Sequence, residues 1–564
     1  MSYLESLTML NNYTSMKNIY LSICFSILSF LNAQSQEKLS IQPKIDAIFN
    51  KDSNPNGPGC AVAVIKNGKV IFKNGYGLAN LEYSIPITTA SVFDVASVAK
   101  QFTGFAISNL VQQGKISLSD DIRKYLNEVP DFGRKITISD LIHHTSGLRD
   151  WPETLQAAGW RYEELCSFED IMNMVKHQKE LDFDPGTAYS YSNTGYNLLA
   201  AILEKVTSQS FTAWTDKHIF KRMGMSKSFF LSDDSKLIRN EAYSYSTDAS
   251  SKFTKLQNVL TAYGSSSLYT NINDLTKWVI NLQAGILMND PVYTRMLETG
   301  SLNSGTKINY GFGLEVGEDQ GRRTVSHTGA WSGYRSVVRL YPKEGLAIII
   351  LCNGNDDHMI VDRLTELSKL LLPGSNTKPL LVTEKQTPDL KLGLDLLTKY
   401  SGKYKWGPGN ITFSIDHGQL QFQYTGEDKY PLQALTDSTF MLAVAGLPVT
   451  FSKPVNDQAE TFTFKSIKGK RTIAFIPTKA QLYDYCGIYY SKELFTQYTV
   501  DIQKDKLVIQ HFRRGDFELS PDSDNSFTSD IGTIRFLKSN ENRTDSFSLS
   551  GSKVKNVTFN KISL

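Results

Sequence analysis

The sequence predicts an α+β domain followed by two copies of a small all-β module. Three observations carry this. Apolar, β-branched runs lie near residues 59–78 and again near 323–352, while the stretch between them, roughly 116–290, is mostly helical in its spacing. Strands at both ends with helices between predict one antiparallel sheet closed by distant parts of the chain, flanked by helices and carrying a helical subdomain. After residue 390 the pattern becomes short alternating strands, and it repeats with an offset of 85 to 87 residues.

In chain order, "IQPKIDAIFNK" reads as a short amphipathic helix. "CAVAVIKNGKVIFKNGY" places apolar runs on either side of Asn67-Gly68, a strong hairpin signal. A helix follows, because Val98, Phe102, Phe105, Ala106, Leu110 and Val111 recur at helical spacing and Gly114 ends the run. "NTGYNLLAAILEKVTSQS" and "INDLTKWVINLQAG" are the clearest helices of the middle region. "TVSHTG", "YRSVVRLYP" and "GLAIIILCNG" return to strand, and "DDHMIVDRLTELSKLLL" is a last helix before Pro373-Gly374. Residues 374–390 read as a linker. The two repeats then span 391–480 and 481–564. Gly402 aligns with Gly487 and Tyr404 with Tyr489, and the copies could be two small barrels or two halves of one sheet system. Neither copy offers a clustered catalytic set.

Composition narrows the functional classes. The chain has 564 residues, too many for one core, and its formal net charge of +3 gives no reason to expect a nucleic acid partner. Residues 1–33 read as an N-terminal extension and a secretory signal peptide. Met16 is followed by Lys17, an apolar run from Ile19 to Leu31 and a small residue, Ala33. An uncleaved anchor is the alternative, and after signal removal no stretch predicts a stable membrane span. The expected location is therefore periplasmic or secreted. Of the five cysteines, Cys60, Cys166, Cys352 and Cys486 lie beyond the signal with no C-x-x-C pair. A disulfide is permitted by export but not assigned, and buried free thiols are the expected state.

The chemistry centres on Ser97 and Lys100 in "FDVASVAKQFTGF". A serine hydroxyl is a poor nucleophile until a base takes its proton, and a lysine one helical turn on shares its face. That lysine works as a base only if burial or a neighbouring charge lowers its pKa. S-x-x-K by itself is weak, since it recurs at Ser35, Ser304, Ser375, Ser550 and Ser552. Only Ser97 has a hairpin before it and an amphipathic helix after it. Two further motifs join it in chain order: Tyr191-Ser192-Asn193 before a helix, and His327-Thr328-Gly329 on a strand.

With these three motifs the chain resembles the serine beta-lactamase and penicillin-binding protein superfamily, on the class C beta-lactamase-related branch with its D-aminopeptidase-like and esterase-like members. The resemblance covers roughly 41–373, with "LIHHTSGLRDW" and "YGFGLEV" as further similar segments. It implies a beta-lactamase-like fold and an acyl-enzyme on Ser97. It implies Lys100 as base, Tyr191 as proton shuttle, and Asn193, His327, Thr328 and Gly329 as substrate-binding residues. The implied oxyanion hole is the backbone N–H of Ser97 and of Ala330. A phenolate at Tyr191 would need cationic neighbours, for which Lys100 and a protonated His327 are the options.

Histidine at 327, where many relatives carry lysine, weakens attraction for a substrate carboxylate, and Arg335 is a compensating cation or simply a strand arginine. His143-His144 suggest a metal only superficially, and a structural hydrogen bond from His144 is the stronger reading. Trp151 and Trp160 either line the cleft or pack. Neither metal nor organic cofactor is required by this chemistry. The expected substrate is a small molecule or peptide, peptidoglycan-derived fragments included: a D-amino-acid peptide, a β-lactam or a small ester. The alternative is a sensor that is acylated without turnover, or that only grips such ligands. The repeats are expected to mediate homo-oligomerisation, cover the cleft or contact glycan.

Overall fold

The computed structural model describes residues 41–562, apart from 52–53, 249–251, 357, 373–389, 391, 408, 426–428, 443–446 and 473–474. The expected signal peptide and nearly all of the expected linker lie outside the described residues. The described part begins with a helix over residues 41–50 (α1). The Asn67-Gly68 turn joins β1 (Cys60–Lys66) to β2 (Lys69–Tyr76), and both turn residues take a positive φ, as a tight two-residue hairpin requires. Four strands from far along the chain complete the sheet: β3 (Glu315–Asp319), β4 (Arg322–Trp331), β5 (Tyr334–Tyr341) and β6 (Leu346–Cys352). The order is β3-β4-β5-β6-β1-β2, antiparallel throughout.

Both faces of this sheet are covered, which is why β1 and β6 read as unbroken apolar runs. One face, with Val62, Val64, Ile348 and Ile350, packs on Ile45 and Phe49 of α1 and on Ile360, Leu364 and Leu367 of the last helix. The other, with Ala61, Ala63, Ile349 and Leu351, packs on the larger core that includes Val98, Phe102 and Trp278. Sandwiching the sheet this way fixes where the chain leaves β2 and re-enters at β3, and the Ser97 turn packs against β4 and β5.

The cysteines depart from expectation. Cys60 and Cys352 lie opposite each other across the β1–β6 register and form a disulfide, while Cys166 and Cys486 are free thiols. Their separation of 292 residues hid the pairing until the sheet closed.

The repeats are two closed eight-stranded barrels, the first from Gly402–Trp406 to Ile467–Arg471 and the second from Gly487–Ser491 to Val557–Ile562. Closure leaves neither barrel with an open sheet edge. Each begins alike. A short helix ends, a glycine adopts a positive φ (136° at Gly402, 150° at Gly487), and a fully buried tyrosine follows. The hydroxyls of Tyr404 and Tyr489 donate to the carbonyls of Tyr400 and Tyr485, four residues earlier. The matching Gly-x-Tyr pairs therefore encode a structural latch.

The second barrel docks on the N-terminal domain through the short helix α3 (Trp151–Ala157). Ala157 belongs to the apolar core of that barrel, and the Tyr498 hydroxyl donates to its carbonyl. Just before α3, buried Arg149 pairs with Glu493 of the barrel and Asp182 of the domain, each at 2.7 Å. Two carboxylates and a barrel carbonyl, Lys555 O, partner a cation that would be costly to bury alone.

The disulfide yields a direct expectation. Replacing Cys60 and Cys352 by serine should cost about 2–5 kcal/mol of stability, seen as a lower first melting transition. A reducing agent should bring the wild type down to the same value. Equal melting of variant and wild type without reductant would show that the bridge contributes nothing.

Candidate active site

Ser97 lies on a 3₁₀ turn, Ala96–Ala99, that runs directly into α2 (Lys100–Gln112). The turn is bent by Ala96, whose φ of 46° costs about 1 kcal/mol for a residue with a Cβ. Asp94 holds it there, its Oδ1 accepting from the Ala96 N–H at 2.8 Å. Burial pushes the Asp94 carboxyl up to about 6, against the hydrogen bonds it accepts from Asn258 and Ala96.

One turn later Lys100 is completely buried. Its Nζ lies 3.1 Å from Ser97 Oγ, 2.7 Å from Asn193 Oδ1 and 2.9 Å from the Ser265 carbonyl oxygen. Burial pushes this lysine down to about 7; Asp150 opposes the shift and Lys553 adds to it. A neutral amine has two hydrogens and one lone pair. The two acceptors take the hydrogens, so the lone pair is left facing the serine hydroxyl.

Asn193 and Tyr191 come from the start of α4 (Asn193–Thr207). Asp150 fixes that start. Its Oδ1 accepts from the Asn193 N–H at 2.7 Å and its Oδ2 from Asn193 Nδ2 at 3.1 Å, which turns the Asn193 carbonyl oxygen toward Lys100. Tyr191 hydrogen-bonds Ser97, yet burial holds its phenol well above the ordinary value. The structure therefore keeps Tyr191 protonated at neutral pH, where a phenolate had been one expectation. The His144 ring lies tilted against Tyr191, 4.4 Å between centres, and accepts the Ser192 N–H, the structural bond expected of it.

The third motif lies near the end of β4, where burial alternates over residues 327–330. His327 and Gly329 point inward, and Thr328 and Ala330 are exposed. His327 differs from expectation. Its Nδ1 donates to the Thr328 carbonyl at 2.6 Å, and its Nε2 accepts from the Tyr310 hydroxyl at 2.8 Å. Burial, with repulsion from Lys100, pushes it down to about 3. It is a neutral ring with both nitrogens occupied, so it neither supplies the expected positive charge nor presents a donor to substrate. Gly329 is required by closeness: a Cβ there would sit 2.3 Å from Val95 O and 3.1 Å from the Ser97 nitrogen. That approach packs β4 directly against the turn that carries Ser97. Arg335 gives hydrogen bonds to the carbonyls of Ser332, Tyr334 and Asn355.

Sequence reasoning missed four participants. Asp150 stood unremarked inside "GLRDW". Ser265 contributes only a carbonyl, which no side-chain pattern signals. Trp331, directly after Ala330, stacks on Trp160 and meets Trp151 and Tyr162 at an angle; Trp151 and Trp160 are themselves buried and pack. Lys553 of the second barrel reaches within 5.4 Å of the Tyr191 ring centre and 3.8 Å of Asp150 Oδ2.

Comparison with known proteins agrees with this geometry. The family model described as Beta-lactamase matches residues 45–371. The chain belongs to the beta-lactamase family. It is 26% identical to penicillin-binding protein 4* of Bacillus subtilis (strain 168) over 422 residues, 71% of this chain and 91% of that protein. It is 29% identical to the D-aminopeptidase of Gluconobacter oxydans (strain 621H) over 298 residues, 53% of this chain and 56% of the relative, so it spans about half of that enzyme's length. Among solved structures, the octameric penicillin-binding protein homologue from Pyrococcus abyssi superposes with a TM-score of 0.53 at 20% identity, covering 85% of this chain and 98% of that one, a likeness of fold. Together the family and its members make the protein a serine hydrolase of the beta-lactamase and penicillin-binding protein type.

A base that titrates at about 7 sets the pH profile. With a neutral ester, kcat/KM should fall about tenfold per pH unit below that value as Lys100 takes up a proton. Because the Asp150 carboxylate favours the ammonium form, Asp150→Asn should move this limb to lower pH. A limb that stays in place in the variant would remove Asp150 from the account.

Proposed function

We propose that the protein is an exported serine hydrolase that works through an acyl-enzyme on Ser97 and turns over. The observation that carries this is the buried amine of Lys100, with its lone pair aimed at a hydroxyl that solvent reaches. In acylation Ser97 Oγ bonds to the substrate carbonyl carbon, and its proton passes to Lys100 Nζ. The backbone N–H groups of Ser97 and Ala330 face the oxyanion. The bond to the leaving group then breaks. The Tyr191 phenol gives that group its proton and recovers one from the Lys100 ammonium. Water reverses the sequence in deacylation, returning the serine hydroxyl and a free acid.

The substrate class proposed is D-amino-acid peptides and small esters, with β-lactams as a third member. The D-aminopeptidase relatives support the first. The aromatic wall of Trp160, Tyr162 and Trp331 beside Ala330 supports an apolar side chain or acyl group. Asn193, Thr328 and Gly329 are the proposed substrate contacts, and His327 acts by orienting the strand that carries them. Export is supported by the Cys60–Cys352 bridge, since such bonds persist in oxidising compartments. Homo-oligomerisation through the barrels belongs to the same proposal and draws on the octameric homologue.

The test is hydrolysis of p-nitrophenyl butyrate by the protein and its Ser97→Ala and Lys100→Met variants. Steady turnover by wild type and a loss of at least about a thousandfold in both variants are expected. A single burst without steady turnover would point to an acylated sensor, and equal rates in all three proteins would remove Ser97 from the reaction.

A further inference from the structure

The second barrel contributes a side chain to the cleft. Its last two strands, Thr544–Ser550 and Val557–Ile562, are joined by a loop whose tip is Lys553. The N-terminal domain clamps that loop on both sides of the tip. Glu153 of α3 accepts from the Lys553 N–H at 2.8 Å and from the Ser552 hydroxyl, and Asp182 accepts from the Lys555 N–H at 2.7 Å. Within the loop the Gly551 N–H donates to the Val554 carbonyl at 2.7 Å, and Val554 is buried in the barrel core. The backbone under Lys553 is therefore held before any ligand arrives.

The ammonium forms one long ion pair, 3.8 Å from Asp150 Oδ2, and donates no hydrogen bond to a described residue, so its hydrogens remain available. The Asp150 oxygens are already occupied by Asn193 and Thr194. The Lys553 side chain is 38% exposed, so solvent and solutes reach it. The other cations near the cleft are engaged: Lys100 by three partners, Arg335 by carbonyls and Arg149 by its two carboxylates. His327 has no free nitrogen. Lys553 sits over the ring of Tyr191, whose phenol hydrogen-bonds Ser97 and, in the proposed reaction, protonates the leaving group.

We infer that Lys553 is a specificity-determining residue: its ammonium anchors an anionic group, a carboxylate in particular, on the leaving-group side of the substrate. The corresponding substrates are short peptides or esters whose departing half carries a free carboxylate. This rests on the acyl-enzyme reading of Ser97. It assigns the second barrel a share of the site, so selectivity depends on a segment about 450 residues from the nucleophile.

The experiment compares two butyrate esters, of p-nitrophenol and of its ring-carboxylated analogue, in the full-length protein. Lys553→Met should lower the ratio of kcat/KM for the carboxylated over the neutral ester by about three- to tenfold, and Lys553→Arg should keep most of it. An unchanged ratio in Lys553→Met overturns the inference, even where both rates fall together, since that pattern belongs to a merely structural role. A second measurement is independent of turnover. In the Ser97→Ala background, the Kd for the carboxylated ester read by calorimetry should weaken three- to tenfold on adding Lys553→Met. Equal Kd values overturn the anchor whatever the esterase assay shows, whereas loss of Ser97-dependent turnover with the Kd difference intact overturns only the acyl-enzyme reading.

Discussion

The amine of Lys100 is buried without an opposing charge in contact. Its partners are an amide oxygen, a carbonyl and a hydroxyl, all of them neutral. Removing an ammonium from water costs several kcal/mol, so the site favours the neutral amine. That state is only useful if the lone pair points at Ser97, which requires both other acceptors to be in place. One comes from the start of α4 and one from the 265 turn, so two distant segments must converge on a helix that itself follows the hairpin. The covered sheet and the helical subdomain are what hold these pieces in register.

Asp150 is the hinge of this arrangement. It caps the start of α4, orients Asn193 and raises the Lys100 pKa partway back toward its ordinary value. The same short stretch, Arg149 to Ala157, is gripped by the second barrel through a buried ion pair, a hydroxyl and a shared apolar core. The barrel is thus coupled to the base through one residue, and any shift in its docking would move both Lys553 and Asp150. The first barrel meets the second through Lys403 and Asn410 on Asp522, a contact remote from the nucleophile.

How much was legible follows from range. The Asn67-Gly68 turn, the Val98–Val111 helix and the Gly-x-Tyr repeats are local patterns, and they came through as a hairpin, a helix and two barrels. Ser97, Lys100, Tyr191, Asn193 and the 327–329 triplet were each visible as short motifs, and the fold gathers them beside β4. His327 was read by residue type and not by surroundings. Its two internal hydrogen bonds, one from Tyr310, could not be seen in a triplet. Lys553 appeared in the sequence only as the second half of a chance S-x-x-K, because its meaning lies in what the barrel is docked against.

The sequence by itself determined the elements, the repeat and the identity of the reacting pair, since turn chemistry, periodicity and i, i+3 spacing act within a few residues. Only the tertiary structure decided the state of those groups. Burial set Lys100 near neutrality, kept Tyr191 protonated and left His327 uncharged; sheet closure joined Cys60 to Cys352; and domain docking put Lys553 beside Asp150. The reason is physical. Desolvation and charge–charge coupling depend on distance in space, and each of these distances is made by segments far apart along the chain.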